Sequence, residues 1–168
     1  GSADYEISGF GFVPTQGGLD INGMYSIEGI NIAGVTLGLR DGDRFGRTLG
    51  RLAWYVYHDA RPDVIVVDNA QTLPPQRGSH IDLHTVGGHA VHVWEAGSGR
   101  LDGLLYGFGQ FGRWPAQPQG AFAFGAELGY QLTDVWASPW LRAGINSGSG
   151  DGNLEYHTHG TFFRLQLT

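Results

Sequence analysis

The sequence predicts an all-β fold: one antiparallel up-and-down barrel of about eight to ten strands, its large apolar side chains turned toward a bilayer. Three observations lead there. Segments of alternating apolar and polar residues recur along the chain, punctuated by Gly, Pro, Asp and Asn, and long helical periodicity is missing. Many of these segments run to about ten residues, above the roughly five or six of a soluble sheet and close to the 9–11 of a tilted membrane strand. Trp and Tyr gather near the expected strand ends (Trp54, Tyr55, Tyr57, Trp94, Trp114, Tyr130, Trp136 and Trp140), as an interfacial girdle would have them.

Taken in order, the expected strands are 3–13, 19–28, 30–40, 47–58, 80–95, 101–112, 120–132, 136–146 and 158–168. Pro14 and the Gly17-Gly18 pair close the first, and Gly29 separates the second from the third. The stretch Asp41-Gly42-Asp43 ends 30–40 with turn chemistry. In 47–58, Leu52, Trp54 and Val56 oppose Arg47, Arg51, Tyr55 and Tyr57. A long connection, 59–79, leads to 80–95, and Gly97-Ser98-Gly99 then turns the chain into 101–112. The clearest alternation is 120–132: Phe122, Phe124, Ala126, Leu128 and Tyr130 on one face, Ala121, Ala123, Gly125, Glu127, Gly129 and Gln131 on the other. After the short step "QLTDVW", 136–146 sets Ala137, Pro139, Leu141, Ala143 and Ile145 against Ser138, Trp140, Arg142, Gly144 and Asn146. Nine is an odd count for a bacterial barrel, so one strand is expected to be split or missed.

Composition narrows the function classes. One domain, 1–168, is expected for this length, with Gly1 and Ser2 reading as a cleaved-tag remnant. Only 15% of residues are charged, against about 25% in a typical soluble domain, and glycine is abundant at 29 residues. All ten positively charged residues are arginine, and the net charge of −6 argues against a nucleic-acid partner. Cysteine is absent, which removes disulfides and thiolate chemistry. The longest apolar run, 52–57, is far short of a spanning helix.

Alternation alone fits a soluble barrel with its big face inward as well as a membrane barrel with that face in lipid. The polar faces are rich in Gly and Ala with isolated Arg or Glu, and short connections alternate with long ones (59–79, 147–157). Both features favour lipid.

With the strands placed, the segment "AFAFGAELGYQLTDVWASPWLRAGINSGSGDGNLEYHTHGTFF" resembles the alginate-export-type family of bacterial outer-membrane barrels. There a strand-turn-strand unit runs into a Ser-Gly-Asp loop and an Asp-Gly-x-His-x-Thr-Phe-Phe stretch; Ser149, Gly150, Asp151, His159, Thr161, Phe162 and Phe163 match. The likeness is specific over about 80–163 and looser before it. Family barrels are larger and continue beyond Phe-Phe through a Gln-Leu-x-Pro-Thr segment, whereas this sequence reads "RLQLT"; it is expected to be a fragment or a shortened barrel. The resemblance implies an outer-membrane location and passage of an anionic polysaccharide, or small solutes, through an arginine-lined pore. Membrane lipid or detergent is then an expected partner, and further subunits of a membrane complex are an open case. The alternative is a shortened or engineered non-conducting barrel that acts as a structural or interaction module.

The residues expected to line the lumen are Arg40, Arg47, Arg51, Glu127, Arg142, Asn146 and Arg164. Parity puts the arginines on the small, polar side, where guanidinium groups would meet uronate carboxylates bidentately. The competing reading pairs them with lumen acids such as Glu127 to fill a narrow barrel. No catalytic residue, metal site or cofactor is expected. "GFGQFG" (107–112) matches a dinucleotide fingerprint, but "RWPAQPQG" follows where a helix is required, so a glycine-rich strand is expected. Around "NSGSGDGN", Asp151 and Glu155 are too few carboxylates for calcium. His80, His84, His89, His92, His157 and His159 lack carboxylate-rich spacing. Ser79 beside His80, with Ser147 and Ser149, is a weak nucleophile set without an elbow motif.

Overall fold

The computed structural model describes residues 3–14, 28–43, 46–63, 65–66, 76–115, 117–150 and 158–162. Among them lie β1 (Asp4–Phe12), β2 (Ile30–Asp43), β3 (Gly46–Asp59), β4 (Ile65–Val66), β5 (Gln76–Arg77), β6 (Ile81–Ala96), β7 (Gly99–Trp114), β8 (Gln117–Leu132) and β9 (Trp140–Gly148). Seven of them make one sheet in the order β1-β2-β3-β6-β7-β8-β9, each neighbour antiparallel to the next. The two-residue strands β4 and β5 pair separately within the long connection, an addition the alternation did not signal. This is the expected all-β meander. The sheet is not closed: among the described residues β1 and β9 remain its edges.

Most boundaries extend the expected ones by a few residues. The strand expected at 136–146 instead begins at Trp140. Ala137 (φ 68°) and Ser138 (φ 40°) are left-handed, and the Ser138 amide donates to the Val135 carbonyl at 2.9 Å, so 133–139 turns before Pro139. Of the strand expected at 158–168, the described part, 158–162, contributes only a parallel bridge from His159 to Gln119; the remainder lies outside the described residues, as does 19–28 except Glu28. The segment 107–112 is the interior of β7, as the prolines after it required.

Short connections (44–45, 97–98, 133–139) gather at one end of the sheet. The long ones after β1 and β3 lie at the other, which also holds the two-residue step from Trp114 to Gln117.

Residues paired across antiparallel strands share a face, so the registers sort every strand residue onto one of two. The first face carries Tyr5, Ile7, Val35, Leu37, Leu39, Leu52, Trp54, Val86, Leu105, Phe111, Phe122, Phe124, Leu128, Leu141 and Ile145, all of them exposed. The central ones are half open: Leu105 63%, Phe122 50%, Phe124 46%, Leu128 55%. A soluble barrel would bury these side chains. Glycines aside, the buried strand residues, Ile30, Ile32, Thr36, Ala53, Asp59, Ile81, Leu83, Gln110, Gln119 and Ala121, all belong to the second, polar face, mostly toward the long-connection end.

Rings mark the two borders of the apolar face. Toward the long connections His84 stacks on Trp54 (5.9 Å) and Phe111 (5.3 Å). Toward the short ones Trp94 packs on His92 (4.3 Å), and the Tyr130 hydroxyl donates to the Ala96 carbonyl at 3.0 Å. From His84 to Trp94 along β6 is ten residues, about 33 Å of strand, or about 25 Å of height at a tilt near 40°, the thickness of an outer-membrane apolar band. The girdle expected from composition is narrower than the list of aromatics. Tyr55, Tyr57, Trp114 and Trp140 lie on the polar face, and Trp136 stands in the 133–139 turn.

Candidate functional site

Charge on the polar face is concentrated in the rows nearer the short connections. One row across the sheet reads Glu6, Gly38, Arg51, His89, Tyr106, Gly125, Asn146; the next reads Asp4, Arg40, Leu49, Val91, Leu104, Glu127, Gly144. A third holds Gly42, Arg47, Val93, Asp102, Gly129 and Arg142. Six of the seven expected lumen residues therefore share this face; Arg164 lies outside the described residues.

They line the face rather than converge. Arg142 and Glu127 touch at 3.4 Å, and Arg142 also grips Asp102 across Gly129 while its guanidinium sits 5.8 Å from the Trp140 ring. Arg51 reaches Glu6 at 3.9 Å. Asn146 accepts a 2.6 Å hydrogen bond from the Tyr106 hydroxyl. Arg51 and Asn146 share a row but stand four strands apart, about 19 Å at ordinary strand spacing. Among the described residues Arg40 and Arg47 form no ion pair, and both are exposed. A further pair, Arg100 with Glu95 at 3.0 Å, closes the short-connection rim.

Glycines make these crossings possible. A Cβ at Gly125 would come within 2.6 Å of the Tyr106 ring, so that ring can bridge to Asn146 only over a residue without a side chain. Gly125→Val is accordingly expected to break the Tyr106–Asn146 bond and cost about 1–3 kcal/mol. Urea titration of the folded protein checks this, with Gly150→Ala, a position with open space around it, as the silent control.

Sequence reasoning missed Glu6, Asp102 and Tyr106. It also missed a clasp at the long-connection end. Asp59 and Ser79 are fully buried there. Ser79 Oγ donates to Asp59 Oδ1 at 2.5 Å, the Arg61 guanidinium donates to both Asp59 oxygens at 3.0 and 2.7 Å, and Tyr57 donates at 3.2 Å. The Arg61 amide donates to Ser79 Oγ at 2.7 Å, and the Ser79 amide returns a bond to the Arg61 carbonyl at 2.9 Å. The hydrogen bond to Asp59 raises the Arg61 pKa further above its ordinary value, so the pair stays charged at any working pH. Ser79, weighed above as a nucleophile, has its hydroxyl on this carboxylate.

The histidines divide. His84 and His92 belong to the two aromatic borders of the apolar face, His89 faces the arginine row, and His159 stacks on Trp114 at 4.7 Å while its Nδ1 meets Gln119 Oε1 at 2.6 Å. Among the described residues no three His, Asp or Glu side chains form a metal-holding group. In the glycine-serine loop, the Ser149 amide donates to the Phe122 carbonyl at 2.8 Å, and Ser149 Oγ accepts from the Phe122 amide at 2.8 Å. Asp151 and Glu155 lie outside the described residues.

A family model described as alginate export matches residues 50–165, from the first half of β3 to beyond the His159 bridge. Neither the curated proteins nor the solved structures provide a match.

Proposed function

The chain belongs to the alginate export family, and on that premise we propose that it sits in the bacterial outer membrane and carries anionic oligosaccharide, or small anionic solutes, along its polar face. The observation that carries this reading is the division of the sheet: exposed apolar side chains on one face, and Arg40, Arg47, Arg51 and Arg142 together on the other.

A guanidinium holds a carboxylate through two parallel hydrogen bonds and keeps its charge at any working pH. Conduction also demands that no site hold its ligand too long. Glu6, Asp102 and Glu127 supply that limit, because a uronate carboxylate docks on Arg51 or Arg142 only by exchanging with a resident carboxylate of like chemistry. Arg40 and Arg47 take the carboxylate without that exchange. Passage is then stepwise facilitated diffusion, with the long connections at the outer mouth.

Planar-bilayer recording tests this. An open current that falls on adding oligouronate is expected, with Arg47→Ala or Arg51→Ala shortening each blocking event about tenfold. A second reading rests on the ion pairs of Arg51, Arg100 and Arg142, which fit a barrel filled by its own side chains. That non-conducting module would insert, fold and stay electrically silent.

A further inference from the structure

Between the long-connection end and the arginine rows, the polar face carries a shelf of rings that the charge argument does not use. Phe10 and Phe12 lie 5.9 Å apart with planes 25° from parallel, and Tyr55 continues the surface 5.8 Å from Phe10 at 39°. The shelf has a floor: a Cβ at Gly34 would stand 2.7 Å from Tyr55 and 2.9 Å from Phe10, so rings from β1 and β3 converge over a bare backbone. Phe10 and Phe12 are each 37% exposed although they share a face with the buried core. Apolar rings left open beside charged rows call for a ligand that is itself apolar on one side and charged on another.

We propose that Phe10, Phe12 and Tyr55 form a saccharide-stacking subsite that receives the C–H face of a pyranose ring and passes the chain to Arg51. The inference deepens the transport reading and rests on it for the identity of the ligand. A uronate sugar is amphipathic in the required way: its ring faces present C–H groups and its edge carries hydroxyls and a carboxylate. Rigid aromatic surface with a few fixed polar groups is how small-ligand sites combine area with orientation. Arg51 lies two rows below Tyr55 on β3, about 13 Å along the strand. The row between holds Ser8, Thr36 and Ala53, all with small side chains. One sugar on the rings and its neighbours toward the guanidinium satisfy both.

The test compares a short oligouronate with the same oligosaccharide after its carboxyls are reduced to alcohols, each titrated against the full chain in detergent. The reduced sugar is expected to bind, and Phe10→Leu or Tyr55→Leu, which keep apolar bulk, to weaken it about tenfold. Arg51→Gln should weaken the oligouronate and leave the reduced sugar unchanged. Saturation-transfer NMR on the unaltered protein gives a readout independent of variant folding: irradiating aromatic protons should saturate the ring C–H protons of the bound sugar. A reduced sugar that does not bind, equal affinity in the leucine variants, or no transfer from aromatic protons would overturn the subsite. If oligouronate still blocks current through the arginines in that case, transport stands and the shelf falls. Stacking without any open current leaves the shelf and removes transport.

Discussion

Leu105→Arg is expected to cost about 2–4 kcal/mol of folding stability in lipid vesicles, while Leu104→Arg, its neighbour in sequence, costs less than about 1 kcal/mol. Leu105 lies near the middle of the exposed apolar face, between the ring border at Phe111 and the row of Leu101, which pairs with Trp94. A guanidinium there meets hydrocarbon, where a charge at midplane is most expensive. Leu104 points the other way and pairs across β7 and β8 with Glu127, so an arginine there gains a carboxylate partner. The measurement is the urea dependence of the folded fraction, followed by tryptophan fluorescence. Equal, small losses at both positions would mean that the apolar face meets water or protein rather than lipid.

The second large effect is expected at the clasp. Asp59→Ala should lower stability by about 2–3 kcal/mol, because it strips the acceptor from a buried serine hydroxyl and from a guanidinium at once. The loss falls short of the full cost of a buried orphan charge because the Arg61 side chain is already about a third open and can turn to water. Asp82→Asn, at an exposed carboxylate paired with His58, is the matching control and should stay within about 0.5 kcal/mol. The clasp joins the last residue of β3 to the approach to β6, so its loss should also open 60–80 to protease before the sheet itself unfolds. Cleavage timed with global unfolding would refute that local role.

How much of this was legible in the sequence depends on which residues are asked. In 120–132 the large apolar side chains Phe122, Phe124, Leu128 and Tyr130 share one parity, as Leu141 and Ile145 do in 140–146, so parity alone put Phe122 and Leu128 on one face and Glu127 and Arg142 on the other. The segment 101–112 carries bulk on both faces, Leu104, Tyr106 and Phe108 against Leu101, Leu105 and Phe111, and a hydrophobicity pattern cannot rank them. That is why Asp102 and Tyr106 stayed out of view. Arg142 meets Asp102 from 40 residues away, across an intervening strand. Such contacts are decided by register, and register is set by turns and neighbours rather than by composition. Asp59 and Arg61 stand two residues apart in sequence, but nothing marked Ser79, 20 residues on from Asp59, as their partner. The start of β9 was misplaced because Trp136 and Ala137 continue the alternation by type, while the backbone at Ala137 and Ser138 is left-handed. The Ser-Gly-Asp and His-x-Thr-Phe-Phe stretches gave the family, and its model reaches back to residue 50, well ahead of those motifs.

Among the described residues, neighbouring strands of the large sheet reverse direction at each step, and there are seven of them, so the first and last of these point the same way. A cylinder whose staves alternate up and down cannot be sealed by bringing those two together, since the seam would join like to like. Nor can it be sealed by repeating the same seven around a shared axis, which only multiplies that mismatched joint. Any ring that keeps the alternation must add an odd number of staves to these seven.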